Sequence, residues 1–232
     1  MKHTSDSGTF ERPDTLRGRV EDHLRTAIME GRLKGGERLR EQEICDRLNI
    51  SRPTLREALR TLEAERLITI EPHRSPTVVR MTEKSASDLY ALRQLLEGHA
   101  AFQFALLADD AAVERLRQQV LALHDSAAAG DGAGLLRSKQ AFYEVLLEGA
   151  DNQLVKETLL GLLSRINLLR ATSFSSPARL GTSLAEIDLL FQKVLARDPE
   201  GARTAAHLHI ANAKVAALQV LKRQTDAESN KL

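Results

Sequence analysis

Between Leu39 and Glu65, apolar residues recur at helical spacing in two short runs. Leu39, Ile44 and Leu48, with Cys45 beside them, give the first run its stripe. Leu55, Ala58, Leu59 and Leu62 give the second a stripe at i, i+3, i+4, i+7. Asn49-Ile50 between them reads as a tight turn, because Asn tolerates the left-handed backbone that such turns use. Ser51 suits an N-cap, and Pro53 suits a first helical turn, where its missing N–H leaves no bond unmade. Upstream, Leu16, Val20, Leu24, Ala27 and Ile28 share one face of a helix over 16–30, closed by Gly31. Gly35-Gly36 predicts a turn before the next helix. Downstream, the β-branched runs Leu67–Ile70 and Thr77–Val79 flank a turn-rich tip, Glu71 to Pro76. That pattern predicts a two-stranded hairpin, or wing.

From Ser85 the period changes to helical throughout. The pattern predicts six helices, over 85–107, 109–129, 133–149, 152–173, 181–196 and 199–223. The breaks fall at Asp109-Asp110, Gly130-Asp131-Gly132, Gly149 to Asn152, Ser173 to Gly181 and Asp198-Pro199. The fold class is therefore mainly α: an N-terminal winged helix-turn-helix, α with a small β hairpin, followed by an all-α antiparallel bundle. The domain boundaries read as a mobile tail over 1–15, a winged helix-turn-helix domain over 16–80, a linker over 81–84, a helical domain over 85–223 and a tail over 224–232.

Composition sharpens this picture. The chain has 232 residues, 42% of them hydrophobic but only 3% aromatic, with no tryptophan. Cores built from Leu, Ala, Ile and Val favour helices. The net charge is +1 overall. Residues 16–80 carry fourteen Lys and Arg against eleven Asp and Glu, or +3. A single cysteine, Cys45, excludes a disulfide framework and a cysteine zinc site. The polar residues 1–15 predict no secretion signal, and no apolar run reaches the length of a membrane span. A cytoplasmic protein with no membrane partner is expected.

The second helix of the pair presents Arg52, Thr54, Arg56 and Arg60 on its polar side, with Ser51 at its start. Arginine can contact guanine or phosphate, and threonine a base methyl or phosphate, so this face suits the major groove. A solvated amphipathic helix in a small bundle would show the same pattern. The wing, with His73 and Arg74 at its tip, favours DNA, because such a hairpin reaches the minor groove or flanking phosphates. Double-stranded DNA is the expected partner.

The stretch Ile28, Gly31-Arg32-Leu33, Gly36-Glu37-Arg38-Leu39, Glu43-Ile44, Ser51 to Leu59 and Leu62-Glu63 resembles the N-terminal domain of the GntR family of bacterial transcription regulators. The resemblance implies that Arg52, Thr54 and Arg56 contact operator DNA. Ser75 stands where the family's wing usually has glycine, and Gln42 where some members have arginine, so no contact is assigned to Gln42.

The remainder resembles the all-helical FCD effector domain of the FadR-like branch. The resemblance rests on Asp88 to Arg93 with Leu96-Glu97, Ala141-Phe142, Ala150 to Leu154, Glu186, and Asp198 with Ala202 and His209. It implies a homodimer, a small-molecule pocket in each helical domain and, with two-fold symmetry, an inverted-repeat operator. Many members of the branch hold a divalent metal through an Asp and three His. The matching positions here are Lys139, Tyr143, Ile187 and His209, of which one is a metal-binding type, so no metal and no cofactor is expected. Lys139 and Tyr143 could instead face His209 and Arg93 and bind a carboxylate directly. Alternatively Lys139 snorkels to solvent, Arg93 pairs with Glu97, and His209 is a satisfied core histidine.

No nucleophile–base pair, phosphate loop or paired carboxylates stand at a persuasive spacing, so no enzyme is expected. The sequence reads as a DNA-binding regulator, a repressor controlled by a carboxylate effector. A regulator whose pocket has decayed is the alternative.

Overall fold

The computed structural model describes residues 15–29, 32–173 and 177–229. The predicted cap at Gly31, most of the N-terminal tail, most of the Ser173–Ser176 stretch and the last three residues lie outside them. The chain divides into two compact units, Met1–Val79 and Arg80–Leu232.

The first unit holds α1 (Leu16–Met29), α2 (Glu41–Leu48), α3 (Arg52–Ala64), β1 (Ile68–Thr69) and β2 (Thr77–Val78). Leu24, Leu55, Ala58, Leu62 and Ile68 are fully buried, and Ile28, Leu39 and Leu59 are nearly so. Each buried Leu or Ile contributes about 1.5–3 kcal/mol. Leu16 does not join its predicted stripe; it is exposed at the first residue of α1. Asn49 closes α2 in the left-handed region, at φ 50° and ψ 53°. The Ser51 side chain accepts a hydrogen bond from the Thr54 backbone N–H and caps α3. Polar contacts join α1 to α3: Arg25 donates to Glu65 at 2.6 and 2.9 Å, and Thr61 donates to Glu21 at 3.0 Å. Cys45 is buried and free.

The hairpin is shorter than the two apolar runs. Its register pairs Ile68 with Val78 and Thr69 with Thr77. The sequence pattern missed its third member. Gly36 N–H donates to Val78 O, Leu39 N–H donates to Pro76 O, and Val78 N–H donates to Glu37 O. The segment between the glycine turn and α2 therefore lines the other edge of β2. No apolar alternation marks it, because so few of its residues pair.

The second unit is α4 (Glu83–Leu107), α5 (Asp110–Ala128), α6 (Gly132–Gly149), α7 (Gln153–Ser173), α8 (Pro177–Leu195) and α9 (Pro199–Ser229). Polar side chains fix most of the starts. Thr82 and Ser85 form a reciprocal capping box, so α4 begins within the predicted linker. Asp109, Asp131, Asn152 and Asp198 each accept a backbone N–H three residues on. Two predicted boundaries are corrected. α8 begins at Pro177 rather than 181, because proline is pre-set for a first helical turn. α9 runs on to Ser229 rather than fraying after 223, because Gln224 to Ser229 contains neither glycine nor proline.

Short connections fold α5 against α6 and α8 against α9, while α4 packs along α9. The main core joins Phe104, Leu116, Leu123, Phe142, Leu146, Ile187, Val194 and Ala202. Gly98 on α4 leaves room for a side chain of α9: a Cβ there would collide with the His207 imidazole. Among the described residues, no helix is long and apolar enough to cross a membrane.

Candidate functional site

Two groups of polar residues stand out, one in each unit. In the first, α3 buries Leu55, Ala58, Leu59 and Leu62, and this leaves Arg52, Arg56 and Arg60 exposed on the opposite face. Thr54 is half-buried, its hydroxyl 2.8 Å from that of Ser51. Arg60 donates to Glu57 at 3.0 Å within α3. Arg52 and Arg56 instead reach back to α2. Arg52 Nη2 donates to Gln42 Oε1, and Arg56 Nε donates to Glu41 Oε2 at 3.0 Å. Neither partner was assigned a role from the sequence. They lie ten and fifteen residues before the arginines, a distance that no helical period encodes.

At the wing tip, His73 is exposed in the left-handed region, at φ 62°. That non-glycine left-handed residue carries the turn, which explains how the tip closes without a glycine at 75. Arg74 is exposed and pairs with Glu71 at 2.6 Å. The structure thus places Ser51, Arg52, Thr54, Arg56 and Arg60 on one helix, and His73 and Arg74 on the hairpin tip of the same unit.

In the second unit the four predicted effector residues are all buried. Lys139 does not snorkel. It lies on the apolar face of α6 with Leu135, Phe142, Tyr143 and Leu146, and it is 2% exposed. Its Nζ donates to His209 Nε2 at 3.0 Å and to Ser183 Oγ at 3.2 Å. His209 Nδ1 lies 2.7 Å from Glu186 Oε2, which also accepts from Arg179 at 3.0 Å; Glu186 Oε1 accepts from Asn212 at 2.7 Å. The carboxylate can only accept, so His209 carries its proton on Nδ1 and offers the Nε2 lone pair to Lys139.

The electrostatics follow from these contacts. Burial, with the Lys139 charge next in weight, holds His209 neutral and pushes it down to about 3. Burial opposes ionisation of Glu186, but hydrogen bonds from His209, Asn212 and Arg179 outweigh it and hold the carboxyl down at about 2. Arg93 is 1% exposed, and its Nε donates to Glu97 Oε1 at 2.6 Å. Its guanidinium also stands 5.0 Å from the Tyr90 ring centroid. Burial penalises the Arg93 charge, yet the Glu97 carboxylate raises its pKa. The Arg93–Glu97 pair is the alternative drawn from the sequence, and it forms with Lys139 still buried. Arg93 acts electrostatically on His209, and Tyr143 on Arg93, so the four residues share one region.

The sequence reading missed Ser183, Asn212 and Arg179, and used Glu186 only as a mark of resemblance. Their signal was spacing. Arg179, Ser183 and Glu186 fall one and two turns apart on α8, and His209 and Asn212 one turn apart on α9.

This network does not fit a divalent metal. The His209 lone pair that a metal would need faces the Lys139 ammonium, and Ile187 has no donor atom. Among the described residues, no three His, Cys, Asp or Glu converge as a ligand set. The arrangement suits an anion better. Arg93, Lys139 and Arg179 oppose two carboxylates, Glu97 and Glu186. Among the described residues, Arg93 Nη1 and Arg179 Nη1 are buried without a hydrogen-bond partner.

Comparisons with known proteins agree with both units. Residues 16–79 match the bacterial regulatory proteins of the gntR family, and residues 88–212 match the FCD domain. The HTH-type transcriptional repressor RspR of Escherichia coli (strain K12) is 25% identical over 206 residues, 88% of this chain and 89% of that protein. The gluconate operon transcriptional repressor of Bacillus subtilis (strain 168) is 37% identical over 79 residues, 34% of this chain and 32% of that protein. In fold, the chain is similar to a GntR transcriptional regulator from Rhodococcus sp. RHA1, with a TM-score of 0.74 at 24% identity, covering 89% of this chain and 97% of that one. These relatives are transcriptional regulators, not enzymes. The chain belongs to the GntR family of bacterial transcriptional regulators, with an FCD domain as its helical unit.

Proposed function

We propose that this regulator is a cytoplasmic repressor that binds a double-stranded operator through α3 and the wing, under the control of a small carboxylate taken up by the helical unit. Similarity to relatives named as repressors supports the sign. The observation that carries the effector reading is the buried excess of cations. Among the described residues, three positive groups face two carboxylates and a neutral histidine, and Arg93 Nη1 and Arg179 Nη1 have no hydrogen-bond partner. Unmade hydrogen bonds and uncompensated charge in an interior are costly, and a carboxylate relieves both. Arg93, Lys139, Tyr143 and His209 line this site, and no metal takes part.

The protein acts as a homodimer on an inverted repeat. In support, Leu92, Leu95, His99, Phe102 and Leu106 follow a three-four spacing along α4, and Leu95 is 67% exposed. Two copies of such a seam satisfy a two-fold interface. The effector can shift operator binding only through a difference in its affinity for the two states.

The test is thermal melting of the purified protein against carboxylates, sugars and amino acids, with and without chelator. A carboxylate should raise the melting temperature by mass action, unaffected by chelator, and alter operator binding. Lys139→Ala should remove that response. A shift on chelation alone would defeat the metal-free site. No response to any carboxylate would favour a regulator whose pocket has decayed.

A further inference from the structure

The recognition arginines differ in how they are held. Arg60 and Arg74 pair with Glu57 and Glu71, three residues before them on the same local element. Arg56 and Arg52 are held from another helix, by the adjacent residues Glu41 and Gln42 in the first turn of α2. Glu41 is part-buried, with its side chain 27% exposed, whereas that of Arg56 is 64% exposed. An ion pair this open adds little to stability. A carboxylate on a DNA-facing surface also repels phosphates. Neither stability nor general attraction to DNA accounts for it.

The geometry of the bond does. Glu41 takes the Nε–H of an exposed Arg56, a bond that does not use the two terminal nitrogens. Those nitrogens are a fork that matches O6 and N7 of guanine. An arginine on a free stem can settle on any nearby phosphate; one anchored at Nε is pre-set for a base edge. Glu41 itself is well placed for its charge, because α2 begins there and a helix N-terminus favours an anion.

We infer that Glu41 is a specificity-determining residue: it does not touch DNA but fixes Arg56 as the reader of a guanine, which makes the protein discriminate operator from other DNA at some expense in general affinity. Gln42 differs: it accepts from a terminal nitrogen of Arg52, so that arginine's fork is not left whole. This rests on α3 being the operator reader.

The experiment selects binding sites from a random duplex pool, with full-length wild type and with Glu41→Gln. It then measures the affinity of each protein for the wild-type operator and for a scrambled duplex. Glu41→Gln should lose its preference at one base position per half-site and bind the operator about tenfold more weakly. Its affinity for the scrambled duplex should hold or rise, and its melting temperature should not move. In an Arg56→Ala background, Glu41→Gln should change discrimination no further. Equal tightening on both duplexes would reduce Glu41 to a repulsive charge and overturn the inference. Weakening on both duplexes with a lower melting temperature would also overturn it, by making Glu41 structural. So would a Glu41→Gln effect that survives without Arg56. If the wild type selects no sequence at all, the operator reading itself fails, which is a separate outcome.

Discussion

The two units spend positive charge in opposite ways. On α3, Arg52, Arg56 and Arg60 stand in solvent, each with one polar neighbour within reach. In the helical unit, Arg93 and Lys139 are sealed in the interior, Arg93 bonded to Glu97 and Lys139 to His209 and Ser183. Water screens the first group, so its value lies in what it meets from outside. The second group is shielded from solvent, so each missing partner counts in full. A similar contact therefore plays a different part in each unit: Arg56–Glu41 orients a side chain, whereas Arg93–Glu97 holds a charge that the fold could not otherwise contain.

The largest effect that would break this contrast is on stability. Glu97→Ala strands the Arg93 charge and should cost about 3–5 kcal/mol in a denaturant titration. Glu57→Ala removes the partner of exposed Arg60 and should stay within about 0.5 kcal/mol. Comparable losses at both would end the distinction.

Arg56→Ala should weaken operator binding by about 1–3 kcal/mol in a gel-shift or anisotropy titration, while the melting temperature stays put. Undiminished binding would remove Arg56 from the interface.

Acid should act on the buried side. His209 is held neutral well below its ordinary value of 6.5, down to about 3. The unfolded chain therefore takes up a proton first. The stability tied to neutral His209 is complete above about pH 6.5 and is lost progressively as the pH falls toward 3. Protonation would set a second cation against Lys139, near Arg93, with Glu186 and its partner Arg179 on the other side. By pH 5 the loss should reach about 2 kcal/mol relative to pH 7. Glu186, held down at about 2, adds its own loss only as the pH drops below 4.5. Urea unfolding at pH 7 and pH 5 measures this, and His209→Gln should flatten the difference.

A smaller loss than these belongs to the cap, though above that of Glu57→Ala. Ser51→Ala should cost about 1 kcal/mol, seen as a modest fall in melting temperature. A larger loss would mean that Ser51 supports more than the start of α3.

Legibility in the sequence followed the range of the interaction. The two-helix turn could be read because its cues are local: the apolar stripe of α3, the Asn49 turn and the Ser51 cap lie within fourteen residues. The helices of the second unit could be read for the same reason, with errors at Pro177 and Ser229, where no hydrophobic stripe sets the end. Lys139 reads two ways in the sequence, although Leu135 and Tyr143, one turn either side, place it on a buried face. What joins Lys139 to Ser183 and His209 spans 44 and 70 residues. Such partners are chosen by helix packing, which hydrophobic period does not encode. The third member of the wing ladder was hidden differently: its backbone bonds leave no trace in side-chain identity.

Gly98 bears on the same pair of helices. The His207 ring of α9 occupies the space that a side chain at Gly98 would take, and the atoms in the way are the end of a side chain, not backbone. Arg93 lies five residues before Gly98 on α4, and His209 two residues after His207 on α9. Gly98→Ala would therefore turn the half-buried His207 ring aside before it moved either helix. The ring is a cushion: it absorbs a change on α4 and insulates the buried charges of both helices from it.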